Sequence, residues 1–228
     1  NLQRGITGDR SRSMCPEGNG GTIMNGGTKR NVGLAVFLLA AVLLGALPLF
    51  AYTPLFRTSP DVAYMKLWNL PENAGARKDA LRAYFRTVNK DISEKRAANY
   101  AEYVEAAAQQ FQVDPFLIAS LMIAQSNLVW TAKTQSEYGL MMINWDDNRK
   151  WIYREYPNVK NLRILFKPVI NIRVGTHILK DNLAKSTHDY DETVERYYSK
   201  HSLTFREEVF KNYTNLVALY KEKLAAKK

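Results

Sequence analysis

Near the middle of the chain an apolar run ends in Ala124-Gln125-Ser126, and thirteen residues after Ser126 comes Gly139-Leu140-Met141-Met142. A polar pair at the end of an apolar run, followed at short distance by a glycine motif, is the feature of this chain that bears on chemistry. The residue type limits which chemistry. A carboxylic acid can hand a proton to a leaving oxygen and take one back, whereas the Gln125 carboxamide does neither at physiological pH. It can only donate and accept hydrogen bonds. The nearest carboxylates in sequence are Glu137, in the loop before Gly139, and Asp146 and Asp147 after it. A substitute general acid needs hydrogen-bond reach of the reacting oxygen, about 2.6–3.2 Å, so solvated loop positions are the expectation for all three.

Flat aromatic rings suit the C–H faces of sugars, and Trp130, Tyr138, Trp145, Tyr197 and Tyr198 flank the same segment. Leu117, Leu121, Leu140, Met141, Phe166 and Leu179 read as core. His177, His188 and His201 show no metal-ligand spacing with acids or with the single Cys15, so neither a metal nor a cofactor is expected. One cysteine also rules out an intramolecular disulfide.

The elements that position these residues read as helices. Residues 53–228 contain three glycines, Gly75, Gly139 and Gly175, and no long alternating apolar/polar run. Ala76 to Val88 is one expected helix. Asp91 with Glu94 resembles a capping box before a helix carrying Tyr100, Val104, Ala107, Ala108 and Phe111 at three-to-four spacing. Asp114-Pro115, cap and first-turn proline, opens Phe116 to Gln125. Val209, Phe210, Tyr213, Leu216, Val217, Tyr220 and Leu224 form the stripe of a terminal helix. The fold class is all-α.

Upstream, residues 1–30 hold seven of the twelve glycines and read as a flexible tail. Residues 31–52 read as a transmembrane helix, because Val32 to Tyr52 is a 21-residue run without a charge, and about 20 apolar residues span a bilayer. Leu49, two positions before Ala51, spoils a signal-peptide cleavage context, so the helix is expected to stay as an anchor. Lys29 and Arg30 precede it, which places the tail in the cytoplasm and the remainder outside. Thr53 to Pro60 reads as a short linker within a lead-in over 53–96, ahead of a domain over 97–228. The net charge is +10, of which the tail supplies +3 from five Lys/Arg against two Asp/Glu. The rest is scattered among acids apart from the Lys221 to Lys228 end. That pattern is a mildly basic solvated surface, and without a concentrated basic patch it argues against nucleic acid as a partner.

Four marks in order resemble the soluble lytic transglycosylase (SLT) domain, a relative of goose-type lysozyme. They are Gln112 to Ile118 with its Asp-Pro restart; Gln125-Ser126 in place of glutamate-serine; Gly139-Leu140-Met141-Met142 in place of glycine-leucine-methionine-glutamine; and Leu165-Phe166-Lys167-Pro168, Asn171-Ile172 and Gly175. The resemblance covers residues 97–201 and implies a lysozyme-like helical fold. It also implies contact with peptidoglycan glycan strands, in which one glutamate protonates the glycosidic oxygen and then closes a 1,6-anhydro ring on the muramyl unit. That glutamate falls on Gln125, and substrate contacts fall on Ser126, Met142, Tyr197 and Tyr198; Tyr138 joins them as an aromatic candidate for the sugar groove.

The departures go beyond one residue: Met142 replaces a glutamine, Tyr198 an asparagine, and the stretch from Gln125 to Gly139 is one residue short. Three readings follow. The first is a membrane-anchored domain at the bacterial inner membrane that faces the periplasm and cell wall and holds glycan strands with lost or weak cleavage, as a scaffold or positioning factor for an envelope complex. The second is an active transglycosylase, with Gln125 an introduced change or another acid serving. The third is a structural or protein-binding module whose groove has closed around Tyr198.

Overall fold

Local signals set the helices. The computed structural model describes residues 53–199 and 201–226. Ser59 caps α1 (Pro60–Tyr64) by accepting from the Asp61 amide. Two tight turns, Met65–Leu67 and Pro71–Asn73, lead into α2 (Ala74–Val88), two residues longer at its start than the expected helix. The next helix, α3 (Glu94–Phe111), does not use Asp91 as its cap. Ser93 does the capping, its hydroxyl accepting from the Arg96 amide at 3.3 Å, while the Asp91 amide is held by Asn89. Burial decides between these two candidates: Ile92 just before the cap and Ala97 just after the first turn are both buried, the placement of a hydrophobic staple.

Gln112 turns left-handed (φ 54°) to end α3, and Asp114 restarts the chain as α4 (Pro115–Ser126), accepting from the Phe116 amide at 2.8 Å. Residues 115–123 of α4 are all buried, so this helix is the hub of the core. It packs against α8 (Leu203–Ala225) and α3, while α2 packs against α3 and α8. A two-stranded antiparallel hairpin follows α4: β1 (Glu137–Tyr138) and β2 (Ile143–Asn144), in the register Glu137 to Asn144 and Tyr138 to Ile143. Among the described residues this hairpin is an addition to the all-helical expectation. The strands are two residues long because their function is to close the Gly139 turn. Helix α5 (Trp145–Glu155) starts from the Asn144 cap, and α6 (Pro168–Lys185) and α7 (Tyr190–Tyr198) complete the set. Leu117, Leu121, Leu140, Met141 and Leu179 are buried as expected; Phe166 is half-buried.

The stretch read as linker is docked against the domain. Asp191, fully buried in the first turn of α7, accepts from the amides of Leu55, Phe56 and Arg57 at 2.9, 2.9 and 3.2 Å. Phe56 is 0% exposed and meets Tyr190, Phe210 and Tyr213 edge-on. The lead-in is tied down a second time by fully buried Arg77, which makes two hydrogen bonds to Glu105 and also donates to the carbonyls of Trp68 and Leu70. A buried guanidinium is tolerable only when its charge and donors are matched in this way.

The tail and the apolar run over 31–52 lie outside the described residues. Among those described, no helix is long and apolar enough to cross a membrane.

Candidate functional site

The glycine turn between β1 and β2 is the piece around which the site is built. Gly139 has φ +82°, and a Cβ there would lie 2.1 Å from the Asn171 Nδ2. That closeness comes from Asn171, buried near the start of α6, which grips the turn from outside. Its Nδ2 donates to the carbonyls of Tyr138 and Leu165 at 2.9 Å each, and its Oδ1 accepts from the Met141 amide at 2.7 Å. From α4, the Ser126 hydroxyl lies 2.8 Å from the carbonyls of both Leu140 and Met122 and shares its one proton between them. From α7, the Tyr197 hydroxyl donates to the Met141 carbonyl at 3.0 Å. Gly175 on α6 leaves room for the Met141 side chain, since a Cβ there would sit 2.6 Å from its sulfur and 3.0 Å from the Tyr197 hydroxyl.

Three helices therefore converge on Gly139 to Met142, and the two glycines are there because two packed groups need the space. The arrangement separates the expected ligand contacts into two kinds. Ser126 is 8% exposed with its hydroxyl committed to backbone, and Tyr197 is committed likewise, so both brace the turn. Burial also pushes the Tyr197 phenol far above its ordinary range, with the Glu137 carboxylate adding to the effect, so it stays a donor. Tyr138 packs edge-on against Phe166 and its hydroxyl donates to the Gln135 carbonyl. Tyr198 lies flat on Phe205, with ring centroids 3.9 Å apart. Trp145 leans on Tyr153.

Met142, with φ 40°, is half-buried and lines a polar cleft of about 320 Å³ together with Glu137, Asn144, Trp151, Asn182 and Tyr197. The five aromatic candidates do not gather in one place: Tyr197 lines this cleft, while Trp130 lines a different groove along α3.

Gln125 is half-buried at the C-terminal end of α4, directly before the bracing Ser126, and is not among the residues lining the polar cleft. Its Oε1 is shielded from solvent and has no hydrogen-bond partner. Leaving a carbonyl in that state costs on the order of 1–3 kcal/mol, a cost the fold itself does not offset locally. Whatever reaches it, a carboxamide oxygen can only accept a hydrogen bond, and it has no proton to give.

Asn171 belongs to the Asn171-Ile172 motif, whose sequence alone does not show that it clamps the turn. A buried asparagine inside an otherwise apolar stretch was the available signal. Trp151, Asn144 and Asn182 gave none, because their shared cleft exists only once α5 and α6 meet. His177, weighed above as a metal ligand, is packed instead. Its ring stacks on Phe111, its Nδ1 lies 2.9 Å from the Tyr156 hydroxyl, and burial lowers its pKa against an opposing pull from Asp181.

No curated protein and no solved structure matches the chain. A protein-family model does, over residues 102–199, the span from early α3 through α7 that holds Gln125, the clamped turn, Asn171, Gly175 and Tyr197. Residues 102–199 therefore match a transglycosylase SLT domain, and the helical architecture around the turn is consistent with it.

Proposed function

We propose that this domain binds peptidoglycan glycan strands and cleaves them little or not at all. In this reading residues 31–52 anchor it in the bacterial inner membrane and it faces the periplasm and cell wall as a holding or positioning part of an envelope complex. The domain type supports a peptidoglycan strand as ligand. The uncharged run before residue 53, preceded by Lys29 and Arg30, supports the anchor and its orientation.

The observation that carries the loss of cleavage is Gln125. Where the resemblance places a proton-shuttling glutamate, an amide stands with an unpartnered, solvent-shielded carbonyl. Removing a general acid costs on the order of 10²–10⁴ in rate, enough to turn a cutting site into a holding one.

The test is sedimentation of the purified protein with sacculi, alongside analysis of soluble products for 1,6-anhydromuramyl ends. The expected outcome is co-sedimentation without release, and with Gln125→Glu a rise in anhydro products of roughly 10²-fold or more. Rapid lysis by the unaltered chain, or failure to sediment, overturns the reading.

A second reading is supported by the position of Glu137, which lines the polar cleft beside Met142 and Tyr197. There the chain is an active transglycosylase with Glu137 as its acid. Anhydro ends released by the unaltered chain and abolished by Glu137→Gln would select it.

A further inference from the structure

Along one face of α3 lies a second groove, of about 370 Å³, within the size range of small-ligand sites. Arg96, Tyr100 and Tyr103 line it at helical i, i+4, i+7 spacing, and Lys95, Trp130 and Pro168 help enclose it.

Three features there are left without a partner or only partly covered. Trp130, a large ring, is left 40% exposed. Tyr100 is 1% exposed, yet its hydroxyl has no partner, where a phenylalanine would fill the same space without an orphaned donor. Lys95 and Arg96 are exposed and form no ion pair among the described residues. On the same helix, Glu94 is held by Arg82 and Arg86, and Glu102 by Lys78. Burial lifts the Tyr100 phenol to about 12 while the Arg96 charge pulls the other way, so it remains a donor and Arg96 is near enough to act on it.

We propose that this groove is a subsite for an anionic N-acetylated sugar, the muramyl unit of a glycan strand. The sugar face lies against Trp130 and Tyr103, a ring oxygen or acetamide accepts from Tyr100, and the lactyl carboxylate is held by Arg96 and Lys95. Each feature matches one part of that ligand: rings for C–H faces, an orphan donor for a sugar acceptor, two open cations for a carboxylate. A neutral sugar leaves the cations unexplained, and an acidic peptide leaves the Trp130 and Tyr103 pairing unexplained. Lys95, Arg96 and Tyr100 precede the family match, which begins at residue 102, so the match itself does not imply the site.

This inference rests on the strand-binding reading, and the experiment separates the two. Calorimetric titration compares a peptide-free tetrasaccharide of alternating N-acetylglucosamine and N-acetylmuramic acid with chitotetraose, for the unaltered chain and three variants. The unaltered chain is expected to bind the muramyl sugar about tenfold or more tightly than chitotetraose. The double variant Lys95→Glu/Arg96→Glu is expected to erase that preference while leaving chitotetraose binding in place, and Trp130→Ala to weaken both. Tyr100→Phe is expected to lose several-fold affinity for both sugars yet melt at the same or a higher temperature without ligand, a pairing that a purely structural tyrosine does not produce. Equal affinity of the unaltered chain for the two sugars, or unchanged muramyl binding by the double variant, overturns the subsite while sacculus binding still stands. Failure of the unaltered chain to bind sacculi or either sugar overturns both.

Discussion

Single atoms carry the functional argument at the scale of the residue. Gln125 keeps the shape of an acid and none of its proton chemistry, and Asn171 holds the turn beside it with three hydrogen bonds. Gly139 is the position that tolerates a side chain least. Its φ of +82° disfavours any side chain, and an added methyl would strike the Asn171 amide at 2.1 Å and the Leu165 carbonyl at 2.9 Å. Gly139→Ala is therefore expected to destabilise the domain by about 3 kcal/mol or more, combining strain with displacement of the clamp. Urea denaturation reads this directly, and a change within about 0.5 kcal/mol would show that the turn is not held as described.

Helix starts tie stability to pH at the scale of the element. Asp114 caps α4 and is fully buried, with its second oxygen accepting from the Tyr213 hydroxyl at 2.6 Å. Burial raises its pKa from 3.8 to about 6, against the lowering effect of its hydrogen bonds to Tyr213 and the α4 amides. The folded state thus prefers the protonated acid. Its contribution is fully present below about pH 3.8 and is lost as pH rises to about 6, after which it is constant.

The Asp114→Asn variant keeps an acceptor for the Phe116 amide and has no proton to lose. Its stability relative to the parent is therefore expected to improve between pH 4 and 6, by about 1.4 kcal/mol per unit of pKa difference. Unfolding curves across that range check it; a parallel pH dependence in both proteins would assign the effect to other groups. His177 acts in the opposite direction. Its lowered pKa favours the neutral ring, so its contribution is present above its ordinary value near 6.5 and falls as pH drops below it.

The whole molecule departs furthest from a reading by segments. Residues 53–60 look like a tether, with two prolines and little pattern, yet Phe56 is a fully buried part of the core and Asp191 holds three consecutive amides of that strip. The folded unit therefore extends upstream of residues 102–199, through Arg77 and its partner Glu105 as well as Phe56. Phe56→Ala is expected to cost about 3–5 kcal/mol, as for other buried aromatics. A melting temperature unchanged by that substitution, or by removal of residues 53–59, would show that the strip is peripheral.

What the sequence determined by itself was whatever depends on neighbours along the chain. The Asp114-Pro115 restart, the stripe of α8, the buried run of α4 and the left-out proton donor at Gln125 all follow from residue type and spacing over a few positions. Only the tertiary structure decided which of two nearby residues, Asp91 or Ser93, caps α3. It likewise placed Phe56 in the core, set Ser126 and Tyr197 bracing the Gly139 turn and not facing a ligand, and separated Trp130 from Tyr197 into different grooves. Those outcomes depend on which surfaces meet after helices more than fifty residues apart pack together. Burial competes with local preference there, and it wins wherever a large side chain can be taken fully out of water.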